Sequence, residues 1–515
     1  MKKIISAIFL LFLFFSAKAV DVIELPMKGT GKVIIKLMFI NGSMCDPKGK
    51  EGLSALTTQL IANGGTQTMT STQLNKLIYP WAAGVGSSTD KEVSIFTFEV
   101  PTDKLQQYYS QVLKEMIMHP RMDKLDFDRI LSNQKNFVDQ VIRQSSDEEY
   151  GKKYLEYLIF KDTPYEQLSQ GNSASLSTIT LDDVKRFYSS FYNKNNVIAG
   201  IAGDYSQEFV AILKTDLNML PDSKAVIPHL MQPTTPTGMN VTIISKPGAL
   251  GSAISAGFPM AINRANDDFA ALMIANSWLG EHRKSYSRLY QKIREARSMN
   301  YGDYTYIEWY ENGGGNMLPP SGTPRYLNYF SLWLRPVQTA KGLKGQYPEL
   351  ASIPIGHAHF ALRMAIREMD QLITKGIGQE ACDQTKEFLK SYSKLYIETP
   401  SKKLGYLMDS QRYNRKDWIT ELDGLLSKVT LDDVNRVMRK YWQTDNMDVV
   451  IITDDSEAES LAESIRKNSP SPMSYSNDLK STLAPAILAE DKLVEAYPLK
   501  ISNVKVISSD DTFRK

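Results

Sequence analysis

Three features of the sequence predict an α+β fold built from two homologous halves. Thr180-Leu181-Asp182-Asp183-Val184 returns as Thr430-Leu431-Asp432-Asp433-Val434, and Ser177–Asp204 laid on Ser427–Asp454 gives ten identities in twenty-eight positions. A strand followed by a helix opens the first half, and Ala253–Phe258 followed by Phe269–Leu279 repeats that order. Between them lies Leu220–Met239, rich in Pro and Thr, which reads as a linker. An offset of 250 residues signals duplicated domains, because solenoid repeats run about 20–50 residues.

The elements follow from local pattern. Lys2 and Lys3, the apolar run Ile4–Phe15 and Ala17-Lys18-Ala19 form a cleavable leader with a cut expected after Ala19. That run is short for a membrane span, which takes about 20 residues. The mature chain is therefore expected to be exported, periplasmic or secreted, with no spanning helix. Val33–Ile40 is β-branched and apolar, bounded by Gly31 and Asn41-Gly42, and reads as a buried strand. Gly52–Ala62 reads as a helix stopped by Gly64-Gly65, and Val93–Val100 as a strand stopped by Pro101. Leu105–Met118 and Leu125–Arg143 are amphipathic helices, Leu181–Tyr192 is a helix capped by Thr180, and Val197–Ile201 closes the unit as a strand. The resulting organisation is leader 1–19, first domain 20–220, linker 221–239, second domain 240–456 and tail 457–515. The tail reads as a strap over one domain with a last strand at Val504–Ile507. Asn312–Arg325 is too rich in Gly and Pro for regular structure and reads as a loop bordering a cleft.

Composition narrows the function classes. The 515 residues are 42% hydrophobic and 23% charged with a net charge of +2, ordinary for a globular protein and without the basic excess of a nucleic-acid binder. Cys45 and Cys382 fall in different repeats, which argues against a disulfide between them even in an oxidising compartment. Of the five histidines only His357 and His359 are close. At a helix start, residues two apart point to different sides, so they read as ordinary helix-start or cleft-lining groups rather than metal ligands. No P-loop, dinucleotide fingerprint, H-E-x-x-H, C-x-x-C or G-x-S-x-G elbow occurs.

One stretch stands apart. Tyr286–Tyr301 reads YSRLYQKIREARSMNY, a helix with Ser285 or Ser287 as cap and Leu289, Ile293 and Ala296 as its buried stripe. Arg288, Lys292, Arg294, Arg297 and Tyr301 surround the stripe and make the helix end cationic. Together with Leu279-Gly280 upstream, this segment resembles the LGxxxxSRLxxxLRxxxxxxY signature of insulinase-type (pitrilysin) inverted zinc peptidases. There an Arg and a Tyr seven apart hold substrate, and here Arg294 and Tyr301 occupy those places.

The resemblance implies two peptidase-like domains of the mitochondrial-processing-peptidase type in a clam-shell arrangement. It also implies a zinc helix of the form G-L-A-H-F-L-E-H-M, whose i, i+3 and i+4 side chains share one face so that two His bind Zn²⁺ and the Glu polarises water. This chain reads Gly52-Leu53-Ser54-Ala55-Leu56-Thr57-Thr58-Gln59-Leu60. Ala55 and Gln59 stand at the two His positions and Thr58 at the Glu. Gln140 is the best match to the further Glu ligand downstream. No metal is expected here.

Arg294 and Tyr301 remain, a forked donor and a phenol able to grip a peptide carbonyl and its developing oxyanion. Some members of the family divide the site between two chains, and this sequence resembles the chain that lacks H-x-x-E-H. The expected partner is a homologous zinc-bearing subunit and the expected substrate a peptide or unfolded protein. Ser87, Ser88 and Thr89, within Gly84–Asp90, match the sheet edge that takes up extended peptide in that family. A scaffold that kept the fold and lost the chemistry, or a free-standing peptide-binding protein of the envelope, is the alternative.

Overall fold

The computed structural model describes residues 20–310 and 321–514. The expected leader, and most of the Asn312–Arg325 loop, lie outside these residues. Among the described residues, eleven strands form two sheets. β1 (Val22–Pro26), β2 (Lys32–Phe39), β3 (Gly84–Thr89), β4 (Ser94–Pro101) and β5 (Val197–Gly203) make the first. β6 (Met239–Ser245), β7 (Gly251–Met260), β8 (Asp303–Tyr306), β9 (Asn328–Gln338), β10 (Met447–Thr453) and β11 (Ile501–Ser508) make the second. The principal helices are α1 (Leu53–Asn63), α2 (Lys124–Asn136), α3 (Asp147–Ile159), α4 (Leu181–Phe191), α5 (Phe269–Gly280), α6 (Ala358–Lys375), α7 (Pro400–Arg412), α8 (Leu431–Tyr441) and α9 (Pro485–Glu495).

The duplication is visible in the sheets. The first runs β1-β5-β2-β4-β3, and the second runs β6-β10-β7-β9-β8 with β11 added outside β6. In both, the β1/β5-type pair is parallel and the interior pairs are antiparallel. The repeated TLDDV motif starts the equivalent helices α4 and α8. Thr180 and Thr430 each accept from the amide three residues on, at 3.2 Å, while Asp183 and Asp433 return a bond to the cap amide. Such a capping box satisfies two helix-end amides at once and is worth about 1 kcal/mol.

Each half lends a helix to the other. α3 carries Tyr150, Tyr154, Leu155 and Ile159 of the first half into one cluster with Ile244, Val450, Ile452 and Tyr329 of the second sheet. Reciprocally, Leu404 and Met408 of α7 pack on Ile34, Met38 and Ala202 of the first sheet. Gly200 on β5 makes room for α7, since a Cβ there would stand 2.9 Å from Leu404 Cδ1. The central strands are thus covered on both faces, which is why β2 does not alternate: Val33–Phe39 is buried throughout, Lys36 included.

Charge is buried at the same junction. Arg325, 2% exposed, forks onto Asp90 at 2.5 and 2.6 Å and reaches Glu156 on α3 at 3.1 Å. Lys91 adds a 3.0 Å contact to Glu156, and Arg412 pairs with Glu92 at 2.7 Å. Burial pushes the Glu156 carboxyl up, but Arg325 and Lys91 outweigh it and hold the group down at about 2.

Beyond β10 the tail does more than strap one domain. β11 pairs in parallel with β6, and the chain then crosses to the first half. There Thr512 Oγ1 hydrogen-bonds with Tyr150 at 2.6 Å and Phe513 packs among Tyr150, Tyr154 and Tyr157. Cys45 and Cys382 are free and buried, each in the core of its own half.

Arg325→Ala leaves buried Asp90 without its guanidinium and Glu156 with Lys91 alone, so it should cost about 3–5 kcal/mol in urea denaturation at neutral pH. Glu156 is depressed when folded. Its contribution is therefore present above the ordinary carboxylate range and fades as pH falls towards 2. A Glu156→Gln variant should accordingly lose less stability on acidification than the parent chain.

Candidate functional site

The first half holds a cleft of about 550 Å³ whose lining includes Ala55, Gln59, Ser87, Ser88, Thr89 and Gln134. α1 supplies Ala55 and Gln59 from one face, and β3 supplies Ser87, Ser88 and Thr89 as the edge strand of its sheet, paired only with β4. Gln59 Nε2 donates to Ser87 Oγ at 3.3 Å and Gln59 Oε1 accepts from Asn63 at 2.9 Å, so the amide ties the helix to the edge strand. Thr58 is turned away. It is fully buried, donates to the Ser54 carbonyl at 2.9 Å and hydrogen-bonds with Tyr192 at 3.0 Å.

Gln140 does not join this cleft. It is exposed and accepts from Gln144 at 3.1 Å, while Asn133, Gln134 and Phe137 face α1 instead. The physical reason is a π-helical turn over Phe137–Val141, which widens the helix and rotates the residues beyond it. Gln134 spends its amide on the carbonyls of Gly52 and Gln170, at 2.9 and 2.8 Å. Ala55 has no donor atom, Thr58 is engaged in the core, and the amides of Gln59 and Gln134 are poor zinc ligands. This residue set does not fit Zn²⁺. Among the described residues no group of three His, Cys, Asp or Glu side chains could hold a metal ion. His357 and His359 bond instead to the Ser474 carbonyl and Ser464 hydroxyl, each at 2.9 Å.

The second half presents the Arg/Tyr segment. Its helix is shorter than the pattern predicts. It spans residues 288–295, its last six residues in π-helical form, and the chain leaves it at Ala296. Ser298 is left-handed at φ +53°, so Tyr301 sits on the turn that enters β8. Neither predicted cap serves: Ser287 donates to the Lys284 carbonyl at 3.1 Å, and Ser285 accepts from Gln291 through its own carbonyl. Leu289 and Ile293 are buried as expected.

The cationic end is not a solvated face. Arg288 pairs with Glu368 at 2.6 Å, Lys292 with Glu490 at 2.6 Å, and Arg297 with Asp491 at 2.8 Å and Glu490 at 2.9 Å. Arg297 is 1% exposed. Arg294 is different. Among the described residues it has no carboxylate within ion-pair distance. Its guanidinium lies 4.8 Å over the Tyr290 ring and 5.9 Å from the Tyr301 ring, and Nη1 donates to the Tyr301 carbonyl at 3.3 Å. Tyr301 is 74% exposed. The structure therefore brings Arg294 and Tyr301 together, and separately Ala55, Gln59 and Ser87–Thr89. Neither member of the pair lines the Ala55–Gln59 cleft.

Comparison with known proteins agrees with both halves of this description. Residues 23–167 match the model of Insulinase (Peptidase family M16), and residues 178–318 match Peptidase M16 inactive domain, together more than half of the chain. The chain belongs to the M16 (insulinase) peptidase family. A non-peptidase homolog, YmxG of Helicobacter pylori, is 22% identical over 430 residues, 81% of this M16 chain and 88% of that protein. The zinc protease PqqE of the same organism is 21% identical over 287 residues, 54% of this chain and 63% of that one. The crystal structure of a peptidase M16 inactive domain from Pseudomonas fluorescens superimposes with a TM-score of 0.71 at 19% identity, covering 85% of this chain and 96% of that one. At that identity the match speaks for the fold. With the zinc-helix positions occupied by Ala55, Thr58 and Gln59, this M16 chain is a homologue without the peptidase metal site.

Just past Tyr301, Asp303 is fully buried and accepts from Asn300 at 2.7 Å. Burial pushes its carboxyl up to about 8, against the opposing pull of the Asn300 bond and of Arg294 and Arg335. The unfolded chain gives up this proton near 3.8 and the folded chain near 8, so the contribution of Asp303 to stability falls as pH rises across that window. Urea midpoints at pH 5 and pH 9 should differ less in Asp303→Asn than in the parent chain.

Proposed function

We propose that this chain is the non-zinc subunit of an exported, heteromeric M16 peptidase, and that it supplies Arg294 and Tyr301 to a site whose zinc and H-x-x-E-H come from a homologous partner. The observation that carries this reading is the state of Arg294. Three cations on its segment, Arg288, Lys292 and Arg297, are committed to carboxylates, whereas Arg294 has none among the described residues and lies beside an exposed phenol. A guanidinium and a phenol aimed at the oxygen that becomes negative during water attack stabilise the transition state. They need a metal-bound water supplied from elsewhere, because the Ala55–Gln59 cleft cannot provide one. Relatives named as a non-peptidase homolog and as a zinc protease occur in one organism, which fits a pairing of the two kinds.

The edge strand β3 gives peptide a second hold. Among the described residues no strand pairs with its outer side, where an extended chain would add, and the amides and hydroxyls of Gln59, Ser87, Ser88 and Thr89 stand beside it. With no metal-bound water there to attack it, a peptide so bound is held and not cut. Export follows from the leader over residues 1–19, with processing after Ala19.

In a complex reconstituted with an H-x-x-E-H partner, Arg294→Ala should lower kcat by roughly 10²–10³-fold, the usual loss for an oxyanion donor. Tyr301→Phe should lower it by a smaller factor, and both variants should keep the parent melting temperature. Unchanged turnover in Arg294→Ala would overturn the reading. Failure to isolate any zinc-bearing partner with the chain from its host would move the assignment to a scaffold or stand-alone peptide binder.

A further inference from the structure

The segment that carries Arg294 and Tyr301 is gripped from behind by the tail. Arg297 sits between the two residues, three after one and four before the other, at the point where the chain leaves its helix. Its three guanidinium nitrogens are all used. Nη1 donates to the Lys292 carbonyl at 2.6 Å, Nε to Asp491 Oδ1 at 2.8 Å and Nη2 to Glu490 Oε2 at 2.9 Å. Both carboxylates belong to α9, in the tail. Glu490 also takes Lys292 at 2.6 Å and Arg367 of α6 at 3.3 Å. Tyr475 donates to the second oxygen of Asp491 at 2.7 Å.

This arrangement controls the exit turn. The last carbonyls of a helix lack internal partners, and here the Lys292 carbonyl is capped by Arg297 from beyond the helix end. The same turn places the Ser298 amide on the Arg294 carbonyl at 2.7 Å, with Ser298 left-handed, and brings the Tyr301 carbonyl within 3.3 Å of Arg294. A left-handed non-glycine residue is held only where its surroundings over-determine it. The surroundings here are the Arg297 fork and the two acids that fix it.

We propose that Asp491 and Glu490 of the tail, acting through Arg297, are positioning residues that set the geometry of Arg294 and Tyr301. This rests on the reading of that pair as the functional one. The tail then belongs to the site without touching substrate. Were the tail acids lost, the guanidinium of Arg297 would be buried without its partners, and the turn would open before the core of the half did.

The test uses hydrogen exchange on the full chain, which needs no partner, and turnover of the two-subunit complex. In Asp491→Asn, the amides of residues 298–302 should exchange about tenfold faster or more, while those of α5 and β7 stay as in the parent. In the complex the same variant should lower kcat with little change in KM, and Asp491→Glu should restore part of the loss. Parent-like protection at residues 298–302 in Asp491→Asn would overturn the proposal. So would loosening spread evenly through the second half, which would mark Asp491 as an ordinary core group. The two readings fail separately. Local loosening beside full turnover in Arg294→Ala would keep the brace and sink the split site, whereas lost turnover in Arg294→Ala with an unaltered Asp491→Asn would do the reverse.

Discussion

Each half offers a sheet whose central strands are buried on both faces, and a helix covering the outer face belongs to the other half. That reciprocal loan, α3 onto the second sheet and α7 onto the first, is the constraint behind the rest of the molecule. Once the helices are exchanged, charged groups at the junction of the halves are buried. Arg325 there must find its partners within the protein, because an unpaired guanidinium in such a place is prohibitive. Asp90 and Glu156 answer it from two elements of the first half. The junction is thereby fixed in geometry by hydrogen-bond direction as well as by packing, and the Arg/Tyr segment and the edge strand β3 are each presented on a defined frame.

The duplication, most strands and the starts of the two TLDDV helices were legible because they are written in local chemistry. TLDDV is a capping box wherever it falls, and β-branched runs bounded by Gly and Pro make strands in either half. The loss of the metal site was equally legible, since it depends on which atoms three side chains carry. What could not be read was anything set by partners far along the chain. Arg297 has the spacing of a surface cation, and only the fold places Glu490 and Asp491 behind it. Gln140 was misplaced for a different reason. A π-helical turn begins at Phe137, and a helix that gains a residue in one turn changes which later side chains face its neighbour. Counting at 3.6 residues per turn cannot reveal that, whereas the amides of Asn133 and Gln134 just before the turn still keep their facing.

Thr58 shows how a site is dismantled rather than merely emptied. In a zinc helix its position would carry the base. Here the hydroxyl is absorbed into the core by the Ser54 carbonyl and the Tyr192 hydroxyl, so the helix stays packed with a buried bond at that place. Gln59 likewise trades a ligand for a strut between α1 and β3. Both replacements leave α1 packed on the core and tied to β3.

The tail's return to the first half bears on how the protein is made. Tyr150, Tyr154 and Tyr157 close their aromatic cluster around Phe513, and Tyr150 meets Thr512 across 362 residues of chain. Synthesis is vectorial, so the domain made first waits for residues made far later before its last hydrophobic site is filled. Contacts of such sequence separation form late and slowly. A growing chain therefore carries an open aromatic notch on its leading domain until Phe513 is made.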